Sequence, residues 1–154
     1  MTDLLTILRS DTDSTARIYA VRSLGNIFYQ TYIHPFLERA AREELKVIRA
    51  QFGYNLPARA EYEEYDERGH DIVSVELRGG DERIIRAIGE AATNDAVDDV
   101  RRHAARTLRG LKHQSGRSFL DRAKSDSAVD VRQIAAEALG ELNSALGQFP
   151  LGSA

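Results

Sequence analysis

The sequence of 154 residues contains no cysteine. This absence excludes disulfides, zinc sites built from thiolates and cysteine nucleophiles, and it is typical of a reducing compartment. No run approaches the roughly 18 consecutive apolar residues that a membrane span requires. The residues after Met1 lack the basic segment and apolar run of a signal peptide. We therefore expect a cytoplasmic protein that does not enter a membrane.

Net charge is also small, at −3, which argues against a protein that coats nucleic acid over its whole surface. The charge is nevertheless unevenly distributed along the chain. Acidic residues dominate positions 59–82, whereas arginine and lysine dominate positions 96–124. The sequence therefore predicts two regions of opposite charge.

Three stretches of the chain align with one another without gaps. They are Leu4 to Ile27, Ile88 to Leu111 and Phe119 to Leu142. Each carries a polar residue followed by aspartate, then an arginine six positions after that aspartate, then an alanine and a leucine. The arginines are Arg17, Arg101 and Arg132, the alanines Ala20, Ala104 and Ala135, and the leucines Leu24, Leu108 and Leu139. A recurrence of this kind is typical of a repeat protein.

The apolar residues within each repeat fall at helical spacing. Val131, Ala135, Leu139 and Leu142 share one helix face, and a shorter apolar stretch precedes each polar–Asp pair. The polar–Asp pair supplies turn and capping chemistry between two helices. Because neither helix can bury its apolar face alone, the units must stack. The sequence thus predicts an all-α solenoid of three to four helix pairs.

The segment from Asp130 to Gly140 and the segment from Asp99 to Ala105 resemble the second helix of HEAT-like repeats of the phycobilisome-lyase type. This resemblance implies a right-handed superhelical scaffold in which helix-start Asp and Arg residues tie adjacent repeats together. By resemblance, that structural role falls on Asp99, Arg101, Asp130 and Arg132, and on Arg17 in the first repeat. It does not imply lyase activity, because such repeats occur in many unrelated binding proteins.

Repeat spacing is irregular. Arg101 and Arg132 lie 31 residues apart, but Arg17 and Arg101 are separated by nearly three times that distance. An amphipathic segment from Phe36 to Phe52 predicts one further unit, and positions 54–80 form an acidic insertion. Alternation at Val73, Val75 and Leu77 favours a strand, so the insertion is either a β-hairpin or an acidic loop. We treat 1–154 as a single domain, with 144–154 as a C-terminal cap or tail.

Two groups of residues are candidates for binding. Arg102, Arg106 and Arg109 recur on one helix face, and Lys112 and Arg117 extend the same basic patch. This patch suits phosphates or an acidic protein segment; the alternative is a solvated face neutralised by the acidic insertion. The second group is Tyr62 and Tyr65 in the insertion, since tyrosine is favoured in protein interfaces.

The sequence contains neither a catalytic constellation nor a spacing typical of metal ligands. We therefore predict a non-enzymatic scaffold that binds a protein partner and needs no cofactor or metal. A module that binds nucleic acid or other anions is one alternative, and a bilin-holding chaperone is another. Because uncovered ends of a solenoid favour association, a homodimer is a further expectation.

Overall fold

A computed structural model describes residues 2–34 and 81–148, with side chains up to position 143. These residues form six α-helices and no strand. The helices are α1 (Thr2–Ser10), α2 (Ser14–Phe28), α3 (Glu82–Asn94), α4 (Asp98–Leu111), α5 (Arg117–Ala123) and α6 (Val129–Gln148). A π-helical turn, Tyr29–Ile33, extends α2, and a 3₁₀ turn, Gln114–Gly116, precedes α5. The predicted all-α solenoid is confirmed.

The helices are arranged in pairs that stack in two layers. We call α1, α3 and α5 the first layer and α2, α4 and α6 the second layer, because neighbours within each set pack together. The second helix of the first repeat packs directly on α4. The first two of the three aligned repeats are thus neighbours in space, despite the long stretch of sequence between them. The further unit predicted at 36–52 lies outside the described residues.

The core follows the columns of the repeat. Ala20, Ala104 and Ala135 are completely buried, and so is Leu24. Small residues let the helices approach closely, since a Cβ on Gly25 of α2 would overlap the side chain of the next repeat. Removing each large aliphatic side chain from water stabilises the fold by about 1.5–3 kcal/mol.

The aspartate of each polar–Asp pair closes the turn between the two helices of its repeat. Asp11 Oδ1 accepts from the backbone amide of Asp13 at 2.8 Å, and Asp95 Oδ1 accepts from that of Val97 at 3.0 Å. Asp126 repeats the bond at 2.8 Å. This local bond is the one that short acidic side chains favour in turns. It also holds each carboxylate in a fixed position at the edge of the stack.

Several predicted features lie outside the described residues. They are the acidic insertion 54–80 with its hairpin, the residues Tyr62 and Tyr65, and positions 149–154. The last helix continues to Gln148, so 144–148, the beginning of the predicted cap or tail, are helical. Across the two described ranges, no helix is both long and apolar enough to cross a membrane.

Candidate functional site

Arg17 connects the first repeat to the next. Its Nε lies 2.8 Å from Asp95 Oδ2 and its Nη2 lies 3.0 Å from Asp95 Oδ1, which makes a two-pronged ion pair. Its third nitrogen, Nη1, donates to the backbone carbonyl of Asp11 at 2.8 Å. The hydrogen bond to Asp95 is the main cause of the raised pKa of Arg17. One guanidinium thus joins the turn of its own repeat to the turn of the next.

Arg101 repeats this arrangement one unit further along. Nε lies 2.9 Å and Nη2 lies 3.2 Å from the carboxylate of Asp126, and Nη1 donates to the carbonyl of Asp95 at 2.8 Å. In both pairs the side chains are at most 12% exposed. We call this series of pairs the arginine ladder. Bidentate pairing with low exposure is the geometry in which ion pairs contribute most.

The acids of the ladder differ from those expected. The resemblance pointed to Asp99 and Asp130, but Arg17 and Arg101 bind Asp95 and Asp126. Asp99 pairs with Arg102 inside α4. Asp130 lies 3.6 Å from Arg102 and is 61% exposed, so it links α4 and α6 only loosely. Asp95 and Asp126 belong to the polar–Asp column, for which the sequence predicted only turn and capping chemistry.

Arg132, also expected to tie repeats together, makes its bonds within its own repeat. Nη1 donates to the carbonyls of Asp126 and Ser127, at 2.7 and 3.1 Å. The side chain is exposed. Among the described residues it has no carboxylate partner, in contrast to Arg17 and Arg101.

The basic patch predicted on α4 is largely paired with carboxylates of the chain itself. Arg109 binds Glu141 at 2.6 Å and Glu137 at 2.7 Å, both on α6. The hydrogen bond from Arg109 lowers the pKa of Glu141 below its ordinary value. Arg102 is engaged by Asp99 and Asp130. In the described structure the neutralising acids are therefore Asp99 on α4 itself and Asp130, Glu137 and Glu141 of the next repeat.

The remaining members of the patch differ in their surroundings. Arg117 donates to Asn143 Oδ1 at 2.8 Å. Lys112 ends α4 in the left-handed region, at φ 48°, and is not free of partners. Arg106 is exposed and makes no ion pair with any described residue. Of the five predicted basic residues, Arg106 and Arg117 thus have no carboxylate partner in the part of the chain that the structure describes, and Arg106 is the more exposed of the two.

Arg106 lies on a surface shared with α2. We call this surface the binding face and define it by Tyr19 and Arg22 on α2 and His103 and Arg106 on α4. Tyr19 is 67% exposed, the largest exposure among the bulky apolar side chains described. Burial lowers the pKa of His103, and the charges of Arg102, Arg106 and Arg22 lower it further, which places arginines from both helices around one imidazole.

Sequence reasoning missed Tyr19 and Arg22. Both lie in the first repeat, one turn apart on the outer side of α2. Tyr19 occupies the column of His103, and Arg22 occupies the column of Arg106. Comparison of the polar columns, in addition to the apolar ones, was the signal that could have identified them.

A groove on the opposite layer is a second surface of interest. It has a volume of about 550 Å³ and lies between α1, α3 and α5. Arg9, Arg86 and Arg122 line it, and the guanidinium of Arg122 lies 5.0 Å from the ring centre of Phe119. Within the described ranges, none of these three arginines makes an ion pair. The lining also includes the apolar side chains Leu8, Ala87 and Ala91 and the polar side chains Glu90, Asn94 and Asp95.

A family model described as HEAT repeats matches residues 85–148, which supports a HEAT-like repeat protein. The matched range covers α3 to α6 almost completely, and the first repeat shares their ladder geometry. The match is to HEAT repeats in general, so the phycobilisome-lyase subtype stays a prediction. No curated protein and no solved structure matches the chain significantly.

Proposed function

We propose that the chain is a non-catalytic scaffold whose binding face receives an acidic segment of a partner protein. HEAT repeats generally mediate contacts between proteins. The observation that carries the proposal is the exposure of Tyr19, at 67%, on the outer surface of two packed helices that also carry Arg22 and Arg106, both exposed and without a described counterion. The cysteine-free sequence suits the cytoplasm as the place of this role.

The chemistry of the binding face favours carboxylates. Arg22 and Arg106 each present a planar fork that can hold a carboxylate through two parallel hydrogen bonds. Tyr19 supplies a large area with few rotatable bonds, and tyrosine and arginine are enriched among the residues that contribute most to interfaces. An acidic segment with an apolar side chain therefore matches both features of the face.

The same surface is less suited to nucleic acid. Glu137 on α6 occupies the column of Arg22 and Arg106, and Glu141 lies one turn further along the same helix. A phosphate backbone that followed this row would meet carboxylates in the last repeat, and like charges repel. A short acidic peptide can contact Arg22 and Arg106 without reaching the carboxylates of the last repeat.

Affinity capture from the native host tests the proposal. Wild type is compared with Arg22→Glu/Arg106→Glu and with a control, Arg9→Glu/Arg86→Glu, which makes the same charge change on the first layer. We expect one acidic protein to be retained by wild type and by the control, and lost with the first variant. Calorimetry with the purified protein and an acidic peptide from it then measures the loss directly.

Equal retention by all three chains, or nucleic acid as the retained species, contradicts the proposal. Rising salt separates these outcomes further, because binding that depends on many phosphates weakens steeply with salt. The nucleic-acid alternative predicts that a labelled oligonucleotide binds wild type and is released by alanine at Arg102, Arg106 and Arg109. The bilin alternative predicts a change in the absorption spectrum of an added bilin.

A second candidate function is binding of a small anion in the first-layer groove. It is favoured by the three arginines in the lining, which make no ion pair with any described residue; of the two carboxylates in the lining, Glu90 and Asp95, the second is paired with Arg17. Calorimetry with pyrophosphate and with a dicarboxylate tests it. Heat of binding that disappears in Arg86→Ala/Arg122→Ala supports it, and no heat with wild type excludes it for these probes.

A further inference from the structure

Among the described residues, the arginine ladder is open at Arg132, in the third of the aligned repeats. Arg132 uses Nη1 to hold the carbonyl of Asp126 at 2.7 Å. Arg17 and Arg101 hold the equivalent carbonyl with the same nitrogen, each at 2.8 Å. In those two arginines this bond fixes the guanidinium while Nε and Nη2 bind the aspartate of the next repeat. Arg132 is fixed by the same bond, but no described carboxylate faces its other two nitrogens.

The opposite end of the ladder carries the matching half. Asp11 accepts the amide of Asp13 with Oδ1, as Asp95 does with the amide of Val97. Asp95 also receives the fork of Arg17, whereas no described arginine side chain binds the carboxylate of Asp11. The first repeat therefore presents an aspartate in the conformation that accepts a guanidinium. The last repeat presents a guanidinium in the conformation that binds an aspartate.

Glycines at matching positions of the first and third repeats show the same relation, and Arg109 occupies this column in the second repeat. Gly25 lies so close to Thr107 of the next repeat that any side chain at Gly25 would overlap the threonine methyl group. Gly140 occupies the same column in the last repeat, and a Cβ there would meet nothing within 4 Å. Ser23, half-buried at the other end of the stack, occupies the column of Thr107. Gly140 at one end of the stack and Ser23 at the other thus match the pair that Gly25 and Thr107 form inside it.

We propose that two copies of this chain stack head to tail, with Arg132 of one copy bound to Asp11 of the other. The contact repeats the interface between α2 and α4 with the same ladder and the same glycine. Val129 fits such a contact, because it is 63% exposed one turn before Arg132. The contact joins two different surfaces, so it can propagate into longer assemblies. It does not depend on the function proposed above.

Site-specific cross-linking tests the geometry, and the absence of cysteine means that only introduced thiols react. A tagged Gly140→Cys chain is mixed with an untagged Ser23→Cys chain and treated with a short bis-maleimide. We expect a covalent dimer that contains one copy of each. Gly110→Cys replaces Gly140→Cys in the control mixture, since Gly110 is also an exposed helical glycine with nothing within 4 Å. Equal yields from the two mixtures overturn the proposal.

Charge reversal tests the ladder itself by sedimentation velocity over a range of concentrations. Wild type is expected to form dimers and larger species as concentration rises, and Arg132→Glu to weaken association at least about tenfold. Adding Asp11→Arg to the same chain restores a pair of reversed sign, and association is expected to return. Circular dichroism confirms that each variant is folded, and Asp11→Asn, which keeps the turn bond, replaces Asp11→Arg if that variant unfolds.

Arg106→Glu is the matched control, because it makes the same charge change on the binding face. It is expected to self-associate like wild type even though it loses the protein partner, so the two proposals fail separately. Wild type that stays monomeric, or Arg132→Glu that associates like wild type, overturns the head-to-tail contact. If Asp11→Asn is the variant used, association as strong as that of wild type also overturns the head-to-tail contact. A folded Arg132→Glu/Asp11→Arg chain that stays monomeric also overturns it.

Discussion

The ion pair between Arg17 and Asp95 should couple the first repeat to the rest of the solenoid with a measurable free energy. The side chains are 12% and 9% exposed, and two prongs of 2.8 and 3.0 Å join them. The informative changes are Arg17→Met, Asp95→Asn and both together. Methionine keeps much of the apolar stem, and asparagine keeps an oxygen for the amide of Val97.

The magnitude follows from these contacts. Loss of one partner of a fully buried pair costs about 3–5 kcal/mol, and a hydrogen bond to a charged group is worth about 1.5–3 kcal/mol. Asp95 is slightly exposed and retains its bond to Val97, so we expect Arg17→Met to cost about 2–3 kcal/mol. Asp95→Asn should cost about 1–2 kcal/mol, because the amide oxygen still accepts. The coupling free energy of the pair should be about 1–2 kcal/mol.

Urea unfolding of the four chains measures this coupling. With a slope of about 1–3 kcal/mol per molar urea, the Arg17→Met midpoint should fall by about 0.7 M or more. Arg83→Met is the control, since Arg83 and Asp81 also approach to 2.8 Å but Arg83 is 70% exposed. We expect no measurable change of its midpoint. A coupling below about 0.5 kcal/mol, as in exposed pairs, would refute the view that the ladder holds the repeats together.

Two further predictions concern packing and pH. Gly25→Ala should destabilise by about 1–3 kcal/mol by overpacking, and Thr107→Ser in the same chain, which removes the overlapping methyl group, should recover part of the loss in urea unfolding. Gly110→Ala should instead stabilise by about 0.5–1 kcal/mol, since this helical position is open; stability changes of the same sign at both glycines would contradict the packing argument. Because Arg109 lowers the folded-state pKa of Glu141, this pairing stabilises above the unfolded-state pKa near 4.5 and is lost as pH falls through the lower folded value. The difference in unfolding free energy between wild type and Glu141→Gln should therefore become smaller at acidic pH. A difference that stays constant from pH 7 to about 3 would contradict a stabilising pair between Arg109 and Glu141.

The repeat columns were sufficient to predict the stack but not its lateral contacts. The alanine and leucine columns are core because burial follows helical spacing, which the sequence displays directly. Asp95 and Asp99 are both carboxylates near the start of α4, and only the stacking geometry shows which one meets Arg17. Which carboxylates Arg109 binds likewise depends on how α4 and α6 are rotated relative to each other, and residue spacing within one repeat does not determine that rotation. Tyr19 was overlooked because a single aromatic beside core positions has no periodicity of its own.

The pairing of Arg17 with Asp95 has a consequence for synthesis on the ribosome, because the two residues are 78 positions apart. At roughly 5–20 residues per second, the first helix pair emerges roughly 4–16 s before its partner aspartate has been made. During that interval Val21, Leu24 and Phe28, which are fully buried in the finished protein, lack the α4 surface on which α2 packs. Arg101 and Asp126 are only 25 positions apart, so the downstream pairs can meet soon after translation. The first repeat is therefore exposed longer than the later repeats to aggregation and to chaperones.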